Sequence, residues 1–288
     1  MNGLILINKP KGMTSHDVVN QVRKIFQTKR VGHLGTLDPL AEGLLVICLN
    51  DATKLVPFLE NDDKTYLTEI TIGLATTTYD LEGKVTESVN VERLNENLID
   101  YCLSSFVGVQ SQIPPLYSAI KIKGKKLYQY VRENKEVTPP IRKITIKSIK
   151  RTTPIVYENN KIKFWVEASV SKGTYIRSLC VDIAKRLGYP GVMSNLIRTK
   201  SGIFKLEHAN QLTDLTNDKV HLISMIDALK GWHFITPSLE LYKKIIEGMK
   251  LSMKEINGPE NIAFEWENRL IGIYKLDNNI YRAVRIWK

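Results

Sequence analysis

Apolar residues along this chain fall in short runs whose spacing switches between two and three-to-four, so strands and helices are interleaved. Residues 4–7 read as an apolar strand. Thr14 or Ser15 then opens a helix with Val18, Val22, Ile25 and Phe26 on one face. After a glycine-rich loop, residues 44–49 read as a buried strand, 51–59 as helical, 65–72 as an alternating strand and 91–106 as a helix. Residues 143–149 and 162–170 are rich in β-branched side chains and predict two more strands. Thr174 is placed to cap a helix carrying Ile176, Leu179, Cys180, Ile183, Ala184 and Leu187, which Gly188 stops. Strands and helices do not alternate regularly. The pattern therefore predicts an α+β fold, with helices flanking a mixed, largely antiparallel central sheet.

From about His233 the character changes. Residues 240–249 predict a short helix, and 262–266, 270–274 and 281–287 predict short strands between Asn-, Gly- and Asp-containing turns. The expected organisation is a main domain over residues 1–232 and a small β-rich domain over 233–288. A unit of roughly 55 residues is close to the lower limit for independent stability, so it is expected to pack on its neighbour.

Composition narrows the class. The 288 residues are 43% hydrophobic and 25% charged, ordinary globular usage that excludes wholesale disorder or a fibrous repeat. The longest wholly apolar run, residues 44–49, falls far short of the ~20 residues a membrane helix needs, and the N-terminal apolar stretch has no basic start. A cytoplasmic protein without membrane attachment is expected. Cys48, Cys102 and Cys180 show no C-x-x-C spacing, and the five histidines show no metal-ligand spacing, so neither a disulfide nor a metal is expected.

Charge adds a partner. Lys and Arg number 41 against 30 Asp and Glu, a net +11. Residues 119–151 hold eleven Lys/Arg against two acids, Glu133 and Glu136, a local net of +9. Such a field attracts a polyanion, with a solvated face as the plainer alternative. Tyr128 and Tyr130 interleave with the lysines, as suits an RNA surface.

Four stretches could carry chemistry. In the first, residues 32–45, glycines flank Asp38, and Pro39 stiffens the backbone beside it. This presents a carboxylate on a rigid loop before a buried strand, or else makes an Asx turn in which Asp38 bonds only its own backbone. In the second, residues 171–177, Arg177 falls in the first turn of a helix, where a cation opposes the dipole. It either meets a carboxylate or phosphate, or reaches solvent. Tyr66 in Lys64-Thr65-Tyr66, leading into a strand, reads as a packed strand aromatic, and residues 112–121 form a Pro-Pro turn entering the basic segment. No phosphate-binding glycine loop and no Ser-His-Asp or Cys-His arrangement occurs.

These pieces, in this order, resemble the TruB family of tRNA pseudouridine synthases. Residues 6–15 (LINKPKGMTS) are similar to the family's first motif and residues 32–45 to its catalytic loop. Residues 64–66, 112–121, 171–177 and 196–204 are similar to further blocks, and the tail resembles a PUA domain. The resemblance implies the pseudouridine synthase fold and conversion of uridine 55 in the tRNA T arm to pseudouridine, with no cofactor. Asp38 would be the essential aspartate, as nucleophile or as base, and Arg177 its partner. A guanidinium so placed is expected to lower the aspartate pKa by about 1–3 units. Tyr66 would stack on the target base, His33 would fill the space the base leaves, and Leu196 would wall the pocket. Lys9 and Pro10, with the lysine-rich segment, would position the T arm through phosphates. Gly35, Thr36, Lys64 and Tyr175 complete the expected substrate-binding set. Leu34, Glu42, Tyr79 and Ile197 depart from the family pattern, and Glu42 is expected to raise the Asp38 pKa. A monomer acting on tRNA without a protein partner is implied. A non-catalytic tRNA-folding protein and a related synthase acting on other RNA are the alternatives.

Overall fold

The computed structural model describes residues 1–60, 62–216 and 220–288. Eight strands carry the main sheet: β1 (Gly3–Lys9), β2 (Val31–Leu34), β3 (Glu42–Leu49), β4 (Lys64–Ile72), β5 (Gly108–Gln112), β6 (Arg142–Arg151), β7 (Lys161–Val170) and β8 (Gly191–Ser201). With three short strands they form an eleven-stranded sheet in the order β1–β3–β8–β4–β7–β6–β5, with β2 also on β3. Neighbours in this series are antiparallel except β3 and β8, which run parallel. The sheet is therefore mixed and largely antiparallel, as the pattern predicts.

Both faces of the sheet centre are covered, which is why β1 and β3 read as unbroken apolar runs. Ile5, Ile7, Leu45 and Ile47 face one core, shared with α1 (Ser15–Ile25), α2 (Glu96–Ser104) and α4 (Ile176–Arg186) through Val18, Val22, Ile99, Leu103, Leu179 and Ile183. The alternate residues Leu4, Leu6, Leu44, Val46 and Cys48 face a second core. Between α2 and α4 in the chain lies the short α3 (Leu127–Arg132), in the basic segment.

Helix limits differ from expectation for local reasons. Thr14 caps α1 in a reciprocal box with Asp17. Asn95 caps α2, so Val91 and Leu94 reach the core from extended chain rather than from the longer helix expected. Thr174 does not cap α4. Its hydroxyl donates to the Ser171 carbonyl (2.9 Å), and Tyr175 occupies the cap position without a side-chain bond. Gly188 follows α4 at φ +85, where an L side chain is strained.

The C-terminal region forms a second sheet from β9 (His233–Ile235), β10 (Leu251–Ser252), β11 (Asn261–Trp266), β12 (Arg269–Asp277) and β13 (Ile280–Ile286), in the order β9–β11–β12–β13–β10, with α5 (Leu239–Ile246) against it. Ala263, Leu270, Ile273 and Trp287 share the second core with Leu4, Leu44 and Leu55. The Trp287 indole donates to the Asp51 carbonyl (3.1 Å), so the second sheet is pinned to the first. Among the described residues, no helix is long and apolar enough to cross a membrane.

Candidate active site

The loop between β2 and β3 is fixed from below. Ser15, the first residue of α1, accepts from the Leu37 amide (2.8 Å) and donates to the Leu37 carbonyl (3.1 Å). Leu37 itself is buried in the helix-side core. The Gly12 amide donates to the Pro39 carbonyl (2.8 Å). Lys9 is fully buried, and its ammonium donates to the carbonyls of Met13 (2.6 Å), Pro10 (2.9 Å) and Pro39 (3.5 Å). Burial lowers its pKa to about 8 against the pull of Glu42 and Asp38. Lys9 is thus an internal brace of the loop and not the exposed phosphate contact expected of it. Pro10 lies exposed on the same turn.

Parallel pairing of β3 with β8 brings Arg198 beside the loop. Arg198 is 1% exposed and forms no ion pair among the described residues; its guanidinium donates to the carbonyls of Leu44 (2.7 Å), Gly35 (3.1 Å) and Leu34 (3.4 Å). Gly43 is obligatory here. It adopts φ +98, and a Cβ would lie 2.5 Å from the Arg198 carbonyl oxygen.

On this support Asp38 meets Arg177, Nε to Oδ2 at 2.9 Å. The carboxylate is therefore not engaged only with its own turn. Arg177 is buried on the first turn of α4. Its remaining nitrogens donate to the carbonyls of Thr78 (3.1 Å) and Tyr117 (3.0 Å), and Nη1 stands 3.5 Å from the Asp80 carboxylate. Four oxygens from three loops thus fix one guanidinium. Asp80 is fully enclosed at 3% exposure, and it also accepts from the Glu82 amide (3.1 Å).

Burial pushes the Asp38 pKa above the ordinary carboxylate value; Arg177 pulls it down and Asp80 pushes it further up. The expected lowering is therefore reversed, because removal from water outweighs the single cation. Two-fifths of the side chain still opens to the cleft. The like charge acting on Asp38 is Asp80, whereas Glu42 acts on Lys9.

The cleft holds about 670 Å³ and is lined by Asp38, Tyr66, Arg177, Gly35, Thr36, Lys64, Tyr175 and Leu196 among others. Lys64 spends its ammonium on the carbonyls of Glu60 and Asp62. Tyr66 stands half-buried on β4, opposite Arg198 on β8. His33 sits half-buried on β2, with its Nδ1 buried and unpartnered and its pKa lowered by burial. It lies beside the loop rather than in the cleft wall. The sequence reading missed Asp80 and Glu82, and it assigned no role to Ser118 or Arg198 although they fall within the stretches 112–121 and 196–204. All four line the cleft, yet no spacing rule joins them to Asp38. Tyr79, a departure from the family pattern, sits at φ +66 between Thr78 and Asp80, a conformation that favours glycine. Among the described residues, no cluster of His, Cys, Asp and Glu is arranged to hold a metal.

The basic segment borders the cleft through Tyr128, Arg132 and Arg142. Lys125 lies over the Tyr130 ring, and Lys126 and Arg132 over Tyr128, at 5.0–5.6 Å. Part of its charge is neutralised internally. Arg151 pairs with Glu96 and Asp100 on α2, Lys147 with Asp63 and Lys150 with Glu167. Lys121, Lys123, Arg132, Arg142 and Lys143 are exposed and form no ion pair among the described residues.

Comparison with known proteins agrees with this geometry. Residues 23–176 match the TruB family pseudouridylate synthase N-terminal domain, and residues 177–229 match the tRNA pseudouridylate synthase B C-terminal domain. The tRNA pseudouridine synthase B of Bacillus pumilus is 51% identical over 216 residues, covering 75% of this chain and 70% of that one. That of Halalkalibacterium halodurans is 41% identical over 282 residues, covering 96% and 93%. A crystal structure of a Cbf5-Nop10-Gar1 complex contains a chain that superposes with a TM-score of 0.73 at 25% identity, covering 99% of this chain and 84% of that one. With Asp38 on a braced loop paired to the buried Arg177 and a family match running through both, the chain belongs to the TruB family of pseudouridylate synthases.

Proposed function

We propose that this protein isomerises a uridine of tRNA, uridine 55 of the T arm, to pseudouridine. The observation that carries the reading is the 2.9 Å contact of Asp38 with Arg177 in a cleft that also presents Tyr66. Relatives at 41–51% identity named tRNA pseudouridine synthase B support the tRNA substrate. In the reaction the N1–C1′ bond breaks, the uracil turns, and a C5–C1′ bond forms. A proton leaves C5 and one is taken up at N1, so nothing is oxidised or reduced. A carboxylate is needed near C1′, as nucleophile or as base, and Asp38 in its ionised form fills that role. Arg177 cannot swing away, because two carbonyls and Asp80 hold it, so it fixes the carboxylate in one orientation.

The target base lies inside a folded loop and must be extruded, at a cost of a few kcal/mol. In this reading Tyr66 stacks on the uracil and assists removal of the C5 proton, Leu196 walls the pocket, and His33 occupies the gap left in the RNA. Gly35, Thr36, Lys64 and Tyr175 shape the pocket. The domain of residues 1–232 carries the chemistry. Its segment 119–151 and the PUA-like domain of residues 233–288 hold the tRNA. In this reading the protein acts as a cytoplasmic monomer without a protein partner.

The test is tritium release from tRNA labelled at uracil C5. Wild-type protein is expected to release label and Asp38→Asn to release none. Salt-sensitive tRNA binding with no release from the wild type would leave a non-catalytic RNA-binding protein, the alternative class.

A further inference from the structure

Among the described residues, one buried side-chain oxygen in the wall of the catalytic cleft has no hydrogen-bond partner. Ser118 is 6% exposed, it lines the same cleft as Asp38 and Arg177, and its Oγ is buried with no hydrogen-bond partner. A buried hydroxyl in that condition is destabilising, and folds keep one where a ligand or water completes it. Its backbone is held on both sides. The Ser118 amide donates to the Leu116 carbonyl (3.0 Å), and the Ser118 carbonyl accepts from the Tyr128 amide (3.3 Å). The preceding carbonyl, that of Tyr117, holds Arg177. The Tyr175 hydroxyl comes near enough for Ser118 to offset part of the effect of burial on its pKa, yet Ser118 Oγ keeps no hydrogen-bond partner. Tyr175 is itself clamped, its amide and carbonyl bound by the Gln112 side chain at 2.8 and 3.1 Å. Both walls are thus held at the backbone.

We propose that the Ser118 hydroxyl is a substrate contact, completed by an oxygen of the extruded nucleotide: its ribose 2′-hydroxyl or a carbonyl of the uracil. The inference rests on the function proposed above. A hydroxyl both donates and accepts, so it suits either oxygen. One backbone link joins it to the guanidinium that orients Asp38, so completing the bond places the nucleotide relative to the carboxylate.

The test separates this role from a structural one and from failure of the functional reading. Dissociation constants are measured in the Asp38→Asn background, which needs no turnover, for tRNA transcripts with uridine, 2′-deoxyuridine, 2-thiouridine or 4-thiouridine at the target. Adding Ser118→Ala is expected to weaken binding of the uridine transcript about tenfold, as for one lost hydrogen bond. It should cost nothing further on the transcript whose contacting oxygen has been replaced, which identifies the oxygen by a thermodynamic cycle. Ser118→Thr should restore binding. The melting temperature of Ser118→Ala should hold or rise, because an orphan is removed. Unchanged affinity for the uridine transcript, an equal loss on all four transcripts, or a lowered melting temperature would overturn the proposal. If the wild type forms no pseudouridine while the binding cycle holds, the functional reading fails and the contact stands.

Discussion

At the scale of residues, the site is an exercise in competing electrostatics. Asp38 has a cation at 2.9 Å, yet burial and the Asp80 charge keep its pKa above the ordinary value of 3.8. A group raised in this way favours folding below the unfolded pKa. That stability is lost as pH rises through the folded value, so the ionised form at neutral pH is a cost. Asp38→Asn should therefore abolish turnover, by at least 10²–10⁴-fold, with no loss of melting temperature. The same argument fixes a pH profile. The acid limb of kcat/KM should lie above 3.8, and Asp80→Asn should move that limb to lower pH while reducing kcat, because Arg177 loses one of its holders. An acid limb that stays put in Asp80→Asn would show that Asp80 does not act on Asp38. The two paired residues stand out in the sequence, Asp38 by its glycine-flanked loop and Arg177 by its place against a helix dipole. Asp80 does not, since the loop that folds it against Arg177 leaves no periodic trace.

At the scale of elements, most strands are legible because one or both faces are buried and the side-chain period of two survives. β8 is the instructive failure. Its pairing with β4 shifts register between Met193 and Asn195 and again between Arg198 and Lys200, so its alternation breaks twice. The strand that delivers Arg198 to the loop was thus hidden by the irregularity that lets it reach there. The close approach of β3 and β8 at Gly43 gives a sharp prediction. Gly43→Ala should cost about 2 kcal/mol or more in denaturant unfolding, since its Cβ would meet the β8 backbone rather than a flexible side chain. Lys9→Met removes a donor that three loop carbonyls share, and is expected to destabilise by about 1–3 kcal/mol. It should lower activity through the loop while leaving the salt dependence of tRNA binding as it was, contrary to the phosphate contact that the sequence suggests.

At the scale of the whole molecule, the net +11 is not a uniform coat. The basic segment divides into residues committed to internal ion pairs and residues left for a partner. Charge counting along the chain cannot separate the two, because apart from Glu133 the neutralising acids, Asp63, Glu96, Asp100 and Glu167, come from elsewhere in the sequence. Neutralising Lys121, Lys123, Arg132, Arg142 or Lys143 should each lessen the slope of log affinity for tRNA against log salt by about 0.7–0.9 if it meets a phosphate. Arg151→Gln should leave that slope alone and lower the melting temperature instead. The small second sheet shares its core with β1 and β3, so the RNA-binding surfaces proposed for the two domains are held in one frame.

The central claim, that one carboxylate in this cleft rearranges a uridine, is met most directly by mapping pseudouridine in an unmodified tRNA transcript incubated with the purified protein alone. A single pseudouridine at position 55 with wild type and none with Asp38→Asn is expected. An unaltered transcript after incubation with wild type, or full modification by Asp38→Asn, would contradict it.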